Sequence, residues 1–263
     1  MSHDRGAATP QVSTGAVACF TFDNMGEAAD VGAGLAHGPR PDDPSLVTGY
    51  PNLYRLLDRH GVRATFFVEG WNGEHHPDAV AEVVRRGHEL GMHGWTHETW
   101  GALAPDDEVD RATRATEALA QAAGVQPVGF RAPGGARTAA TEPWLRALGY
   151  RYDASFGDDL TPVPLGAGLA HVPFRWPCVD GYYWLRPDPV PTDEVCRRWL
   201  AALAHAAETS GFFLTICHAF VTGVDDARLA VLDAVVAAAV ADPRVTIRTA
   251  GEVARAVLEG DTA

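Results

Sequence analysis

From residue 17 to residue 259 of this 263-residue chain, short apolar runs alternate with helix-patterned stretches, the pattern of a parallel sheet whose strands are joined by helical crossovers. VACFTF (17–22), RATFFVEG (63–70), HELGMHG (88–94), VGF (128–130), YDAS (152–155), FFLTICH (212–218) and VTIR (245–248) read as strands. NLYRLLDRHG (52–61), PDAVAEVVRRG (77–87) and PDDEVDRATRATEALAQAAG (105–124) read as helices. Two of these begin on proline and all three end on glycine, which takes the left-handed backbone that closes a helix. Further helices are expected at 141–149, 192–210, 226–241 and 250–259. Two Gly- and Pro-containing stretches, 31–51 and 156–190, read as irregular loops, and GWNG at 70–73 reads as a turn.

No repeat, linker or composition break divides the chain, so a single domain is expected over 16–258, preceded by a flexible segment over 1–15. The class is α/β. No Gly-rich nucleotide loop follows the first strand, which favours a closed or nearly closed (β/α) barrel over an open doubly wound sheet. Barrels of this kind carry their sites at the C-terminal ends of the strands. Asp23, His93, Arg131 and His218 each follow a predicted strand.

Composition narrows the partners. The chain is 46% hydrophobic and 21% charged, enough to bury a sizeable core, and its formal net charge is -13, with arginine as the sole basic residue besides histidine. So acidic a surface disfavours nucleic acid or an anionic membrane as partner and suits a neutral or cationic small molecule. Cys19, Cys178, Cys196 and Cys217 form no CxxC pair and read as free thiols of a reducing compartment. The first fifteen residues hold no apolar stretch of signal-peptide length, and no run of about eighteen apolar residues occurs, so a cytoplasmic protein is expected. The oligomeric state is open, a homo-oligomer included.

Each candidate site residue has a bland reading beside the chemical one. Asp23 ends the apolar run FTFD, either as a partnered catalytic carboxylate or as a cap for the turn DNMG. His93 and His97 in MHGWTHE stand four apart, which on a helical turn puts two imidazoles on one face; a polar loop is the alternative. Arg131 in RAPGG either faces a carboxylate or stiffens a turn. His218 ends LTIC as an acid or base, or as a histidine bonded at the sheet's rim. Tyr182, Tyr183 and Trp184 divide between lid packing and substrate contact, and His75 and His76 read as solvated.

Taken in order, FTFD, ATFFVEG, HGWTHE, FRAPGG and LTICH resemble the motif series of the polysaccharide deacetylase family, carbohydrate esterase family 4, over roughly residues 16–258. PFRWPCVDGYYW (173–184) is similar to a segment of its allantoinase-like and intracellular deacetylase branch. The resemblance implies a distorted (β/α) barrel of about seven strands and metal-assisted hydrolysis of an N-acetyl or related amide. It implies Asp23 as catalytic base, His93 and His97 as ligands of a divalent metal, zinc above cobalt or nickel, Arg131 as the residue orienting the base, and His218 as the acid that protonates the leaving amine. Trp176 and Asp180 match residues that wall the pocket and tune that acid. Trp71, Trp95 and Pro133 are further candidates for substrate contact, with Trp100 nearby.

The chain departs from the family's pattern at Asn24, which stands where a second aspartate usually ligates the metal; an amide oxygen is the weaker ligand. Asn24 or water completes a relaxed metal site, or Glu27, Asp30 or Glu98 supplies the carboxylate, or the reaction runs without metal. The leading expectation is a metal-assisted hydrolase that removes an acyl group from a small or oligosaccharide-like N-acyl compound. A metal-independent hydrolase of a cyclic amide or ureide, a non-hydrolytic reaction on the same scaffold, and a non-catalytic ligand-binding member are the alternatives.

Overall fold

A computed structural model of the protein describes residues 15–260; the segment expected to be flexible, 1–15, lies outside the described residues except for Gly15. Nine strands form one sheet: β1 Ala16–Asp23, β2 Thr65–Val68, β3 Glu89–Met92, β4 Gly129–Phe130, β5 Tyr152–Asp153, β6 Val163–Gly166, β7 Leu169–His171, β8 Phe212–His218 and β9 Val245–Ile247. Their order is β6-β7-β5-β4-β3-β2-β1-β8, with β9 on β1. Every pairing is parallel except β6 with β7. A single bridge between Val179 and Ile216 brings the chain after β7 back to β8, so the sheet curls toward closure as a distorted (β/α) barrel.

All seven expected strands are present. The two additional ones, β6 and β7, lie in the stretch 156–190 that reads as irregular, because a largely exposed four-residue strand and a three-residue partner leave no alternation to detect. GWN is the start of a helix, Gly70–His75, in place of the expected turn. Its glycines admit the helix Pro105–Ala123: a Cβ on Gly70 would sit 2.3 Å from Ala115 Cα, and one on Gly73 2.5 Å from the Ala118 backbone. The loop 31–51 carries a π-helical turn, Ser45–Gly49. No described helix is long and apolar enough to cross a membrane.

Strand alternation sorts β1 into two faces. Phe20 and Phe22 turn outward into the layer between sheet and helices, where Phe22 stacks on Phe66 with centroids 4.7 Å apart. Cys19 faces the barrel interior with Phe67, Tyr152, Leu214 and Ile216. Thr21 and Asp23 continue that inner face. Burying one such aromatic side chain stabilises the fold by roughly 1.5–3 kcal/mol, so this packing holds the frame on which the polar end of the barrel is built.

Candidate active site

Register alone sets the polar residues at one level. Asp23 pairs with His218 of β8 and with Phe67 of β2. Past the strand ends the ladder continues through His93 N to Val68 O at 2.9 Å and Arg131 N to Met92 O at 3.0 Å. Asp23, His93, His97, Arg131 and His218 thereby line one cavity of about 330 Å³.

Arg131 reaches across the barrel interior over the Phe67 ring, its guanidinium carbon 4.1 Å from the centroid. It donates through Nε to Ala154 O at 2.9 Å, and through Nη1 to Thr21 Oγ1 at 2.9 Å and Asp23 Oδ1 at 2.6 Å. Burial alone would raise the pKa of Asp23, but Arg131, followed by His93 and His218, outweighs it and holds the carboxyl below its ordinary value. Asp23 is therefore an anion with Oδ1 bound and Oδ2 turned toward His93.

His218 has the opposite polarity. Asp180, fully buried at the start of the helix Asp180–Trp184, accepts from His218 Nδ1 at 2.5 Å, His218 N at 2.7 Å, Thr222 Oγ1 at 2.6 Å and Gly181 N at 2.5 Å. Desolvation by itself would lower the imidazole's pKa; Asp180, with smaller contributions from Asp23 and Glu69, raises it above its ordinary value. Nδ1 is spent on Asp180, so Nε2 is the nitrogen left to exchange a proton in the cavity.

His93 and His97 meet edge to face, ring centroids 5.0 Å apart, in a turn instead of the expected helical one: Gly94 and His97 both have left-handed backbone, at φ 74° and 63°. His93 Nδ1 lies 2.8 Å from Arg131 O, and since a carbonyl only accepts, Nδ1 carries the proton and Nε2 presents a lone pair 3.8 Å from Asp23 Oδ2. Burial above all pushes the pKa of His93 down to about 3, and that of His97 is lowered too.

Two nitrogens of a metal site are thus on offer; the carboxylate on the same wall, Asp23, is bound to Arg131 through Oδ1, and no second acid lines the cavity. Asn24 does not line the cavity: its Nδ2 donates to the buried Glu69 Oε1 at 2.5 Å, while Glu69 Oε2 accepts from Met25 N at 3.0 Å and Asn72 Nδ2 at 3.1 Å. Burial raises the Glu69 pKa to about 8. None of the other carboxylates considered is free to turn inward. Glu27 accepts from Arg40 N and sits 3.0 Å from His76 Nε2, Asp30 pairs with Arg40, and Glu98 accepts from Trp95 N, Thr96 N and Arg111. Among the described residues no three His, Cys, Asp or Glu side chains are grouped to hold a metal ion. The residues present therefore do not fit a three-ligand metal site.

The remaining candidates separate. Trp176 lines the cavity, 43% exposed, against Phe156 and Phe174, and Tyr182 joins it at the mouth. Asp180 touches no cavity surface and acts through His218. Trp71 is instead stacked on His75 at 3.9 Å, and Trp95 lies under Arg114 at 3.8 Å. Trp100 is buried with its Nε1 on Glu108, and Pro133 packs against the Gly94 turn. Tyr183 and Trp184 donate to Pro177 O and Val190 O as lid packing. Sequence reasoning missed Glu69 and Thr222. Glu69 had a signal: like Asp23, it is an acid directly after a buried strand.

A curled parallel sheet with an anionic aspartate and a carboxylate-backed histidine at its C-terminal end defines a distorted (β/α) barrel of the deacetylase type. The polysaccharide deacetylase model matches residues 14–152, and the chain belongs to that family. It is 29% identical over 155 residues to a peptidoglycan deacetylase of Helicobacter pylori, covering 56% of this chain and 52% of that protein. It is 31% identical over 150 residues to a peptidoglycan deacetylase-like protein of Gibberella zeae, covering 54% and 43%. The chain thus spans about half the length of these curated relatives. A crystal structure from Mycobacterium smegmatis assigned to the polysaccharide deacetylases superposes with TM-score 0.84 and 28% identity, covering 100% of this chain and 96% of that one. Puue allantoinase shares the fold at TM-score 0.74 and 18% identity, covering 94% and 91%.

Proposed function

We propose that residues 16–258 act as one catalytic domain that hydrolyses a C–N amide bond of a small N-acyl compound. The observation that carries this reading is the pairing of an anionic Asp23 with a carboxylate-backed, proton-bearing His218 across one cavity. Asp23 takes a proton from water, whose oxygen attacks the acyl carbon. As the C–N bond breaks, His218 Nε2–H gives its proton to the departing nitrogen, without which an amide nitrogen leaves poorly. Arg131 fixes which oxygen of Asp23 is the base and keeps it ionised. His93 and His97 provide nitrogens of the kind zinc, cobalt or nickel favours, but with the third position unfilled no step is assigned to a metal.

Substrate size follows from the walls. Phe174, Trp176, Val179, Tyr182, Leu185 and Ile216 make most of the 330 Å³ cavity apolar, at the lower end of the range for small-ligand sites. A compact acyl group or ring fits better than a polymer strand. A cyclic amide or ureide is a second reading, favoured by the engagement of Asn24 with Glu69: the same base and acid open a ring when acyl carbon and nitrogen belong to one molecule.

A screen of N-acetylated amino sugars, N-acyl amines, cyclic ureides and chitin oligomers, read by release of carboxylate or amine, tests the proposal. Turnover of a small compound that disappears in both Asp23→Asn and His218→Ala is the expected result. Turnover that survives both substitutions sinks it.

A further inference from the structure

The polar end of the barrel contains a buried acid that the proposed reaction does not use. Glu69 is fully buried and its two oxygens receive three hydrogen bonds, from Asn24 Nδ2, Met25 N and Asn72 Nδ2. We infer that Asn24 and Glu69 form an exchanged acid–amide pair that removes the third metal ligand: the carboxyl group sits at 69, outside the cavity that His93 and His97 line, and the amide at 24 is consumed in holding it. The wild-type chain then takes up no stoichiometric divalent ion at His93 and His97.

The backbone at 24 allows little else. Asn24 has φ 64°, a left-handed conformation that Asn and Asp enter more readily than other side-chain-bearing residues. Its N–H donates to Phe67 O at 3.2 Å and its carbonyl accepts from Tyr50 Oη–H at 2.9 Å, so the peptide is pinned on both sides. With the backbone held, the side chain meets Glu69. An aspartate there would bring two buried carboxyl groups within hydrogen-bond reach, and such a pair holds one proton between them, so its single negative charge is tied up in the pair and not free for a metal. The two positions therefore constrain each other: a glutamate at 69 calls for an amide at 24.

The reverse exchange is equally satisfiable. In Asn24→Asp with Glu69→Gln, the amide nitrogen introduced at position 69 donates to the carboxylate introduced at position 24, and the amide oxygen at 69 accepts from Met25 N and Asn72 Nδ2. Every bond of the present network then has a counterpart. Position 24 directly follows Asp23, whose Oδ2 is 3.8 Å from His93 Nε2, so the introduced carboxylate has only to turn from the residue at 69 to join two imidazoles, whose preference for zinc is general. This inference concerns metal uptake and is independent of whether the protein is a hydrolase.

The test is titration of zinc chloride into wild type, Asn24→Asp, and the Asn24→Asp/Glu69→Gln double variant, read by calorimetry and by elemental mass spectrometry after desalting. Far-ultraviolet dichroism and a thermal melt accompany each protein. Expected are no retained zinc in wild type and about one zinc per chain in the double variant, abolished when His93→Ala is added, with Asn24→Asp alone melting lower than either. Stoichiometric zinc in wild type that is lost in His93→Ala overturns the inference, and that measurement decides it even if the double variant does not fold. A folded double variant that takes up no zinc overturns it as well.

Discussion

Arg131 Nη1 lies 2.6 Å from Asp23 Oδ1, with both side chains almost wholly removed from solvent. Neither is tolerable alone, because an unpaired buried charge costs several kcal/mol. Asp23→Asn should therefore lower turnover by about 10²–10⁴-fold, the usual worth of a positioned base, and also depress the melting temperature, since Arg131 loses its counter-charge. Arg131→Met should destabilise by roughly 3–5 kcal/mol. Chemical denaturation of both variants beside a turnover assay checks the pair.

The pH profile of kcat/KM should be bell-shaped and broad. Asp23 must be ionised, and its pKa is held below 3.8, so the acidic limb falls below that value. His218 must carry its proton, and its pKa is raised above 6.5, so the basic limb lies above that value. Stability has a separate slope. Neutral, buried His93 contributes stability that is complete above pH 6.5 and is lost as pH falls toward about 3. A basic limb at or below pH 6.5 would remove His218 from the role of acid.

Thr222 should tune that acid from behind. Its hydroxyl donates to Asp180 Oδ2 at 2.6 Å from the π-helical turn Ala219–Gly223 that directly follows His218. Donation disperses charge on Asp180, so Thr222→Val should leave Asp180 a stronger partner and move the His218 imidazole upward by about half a pH unit or more, whereas Thr222→Ser should not. Nitrogen-resolved NMR titration reads this without substrate. Equal behaviour of the two variants would mean that the hydroxyl only packs.

Trp176 lies on the wall of the cavity, its ring against Phe156 and Phe174. Trp176→Ala should raise KM by roughly 5- to 50-fold with kcat nearly unchanged, the signature of lost uniform binding. A fall in kcat at constant KM would place Trp176 nearer the chemistry than its position suggests.

Glu108 anchors the frame. Fully buried on the helix Pro105–Ala123, it accepts from Trp100 Nε1 at 2.9 Å, Trp144 Nε1 at 2.7 Å, Thr141 Oγ1 at 2.5 Å and Thr138 Oγ1. Glu108→Ala strands four donors at about 1–3 kcal/mol each before relaxation, so a loss of more than about 3 kcal/mol is expected in urea unfolding.

The strands and the residues that follow them were legible because each is a local property. Continuous apolar runs, buried along nearly their whole length, mark β1 and β8, and a polar residue after an apolar run marks Asp23, His93, Arg131 and His218. The hairpin of β6 and β7 was not legible, since β6, VPLG, is largely exposed and is interrupted by proline and glycine. The aromatics misled for a related reason. Trp71, Trp95 and Trp100 stand near the right strand ends in sequence, but each turns to a partner in the helical layer, His75, Arg114 and Glu108, and chain position does not encode that direction.

The sequence by itself therefore determined the barrel and the level at which its polar residues stand, because apolar runs alternating with helical stretches mark where each strand ends. Only the tertiary structure decided which of those residues act on the cavity. Asn24 meets Glu69 across 45 residues and Asp180 meets His218 across 38, and such pairings are selected by burial, which leaves a polar group no partner except the one that packing brings to it.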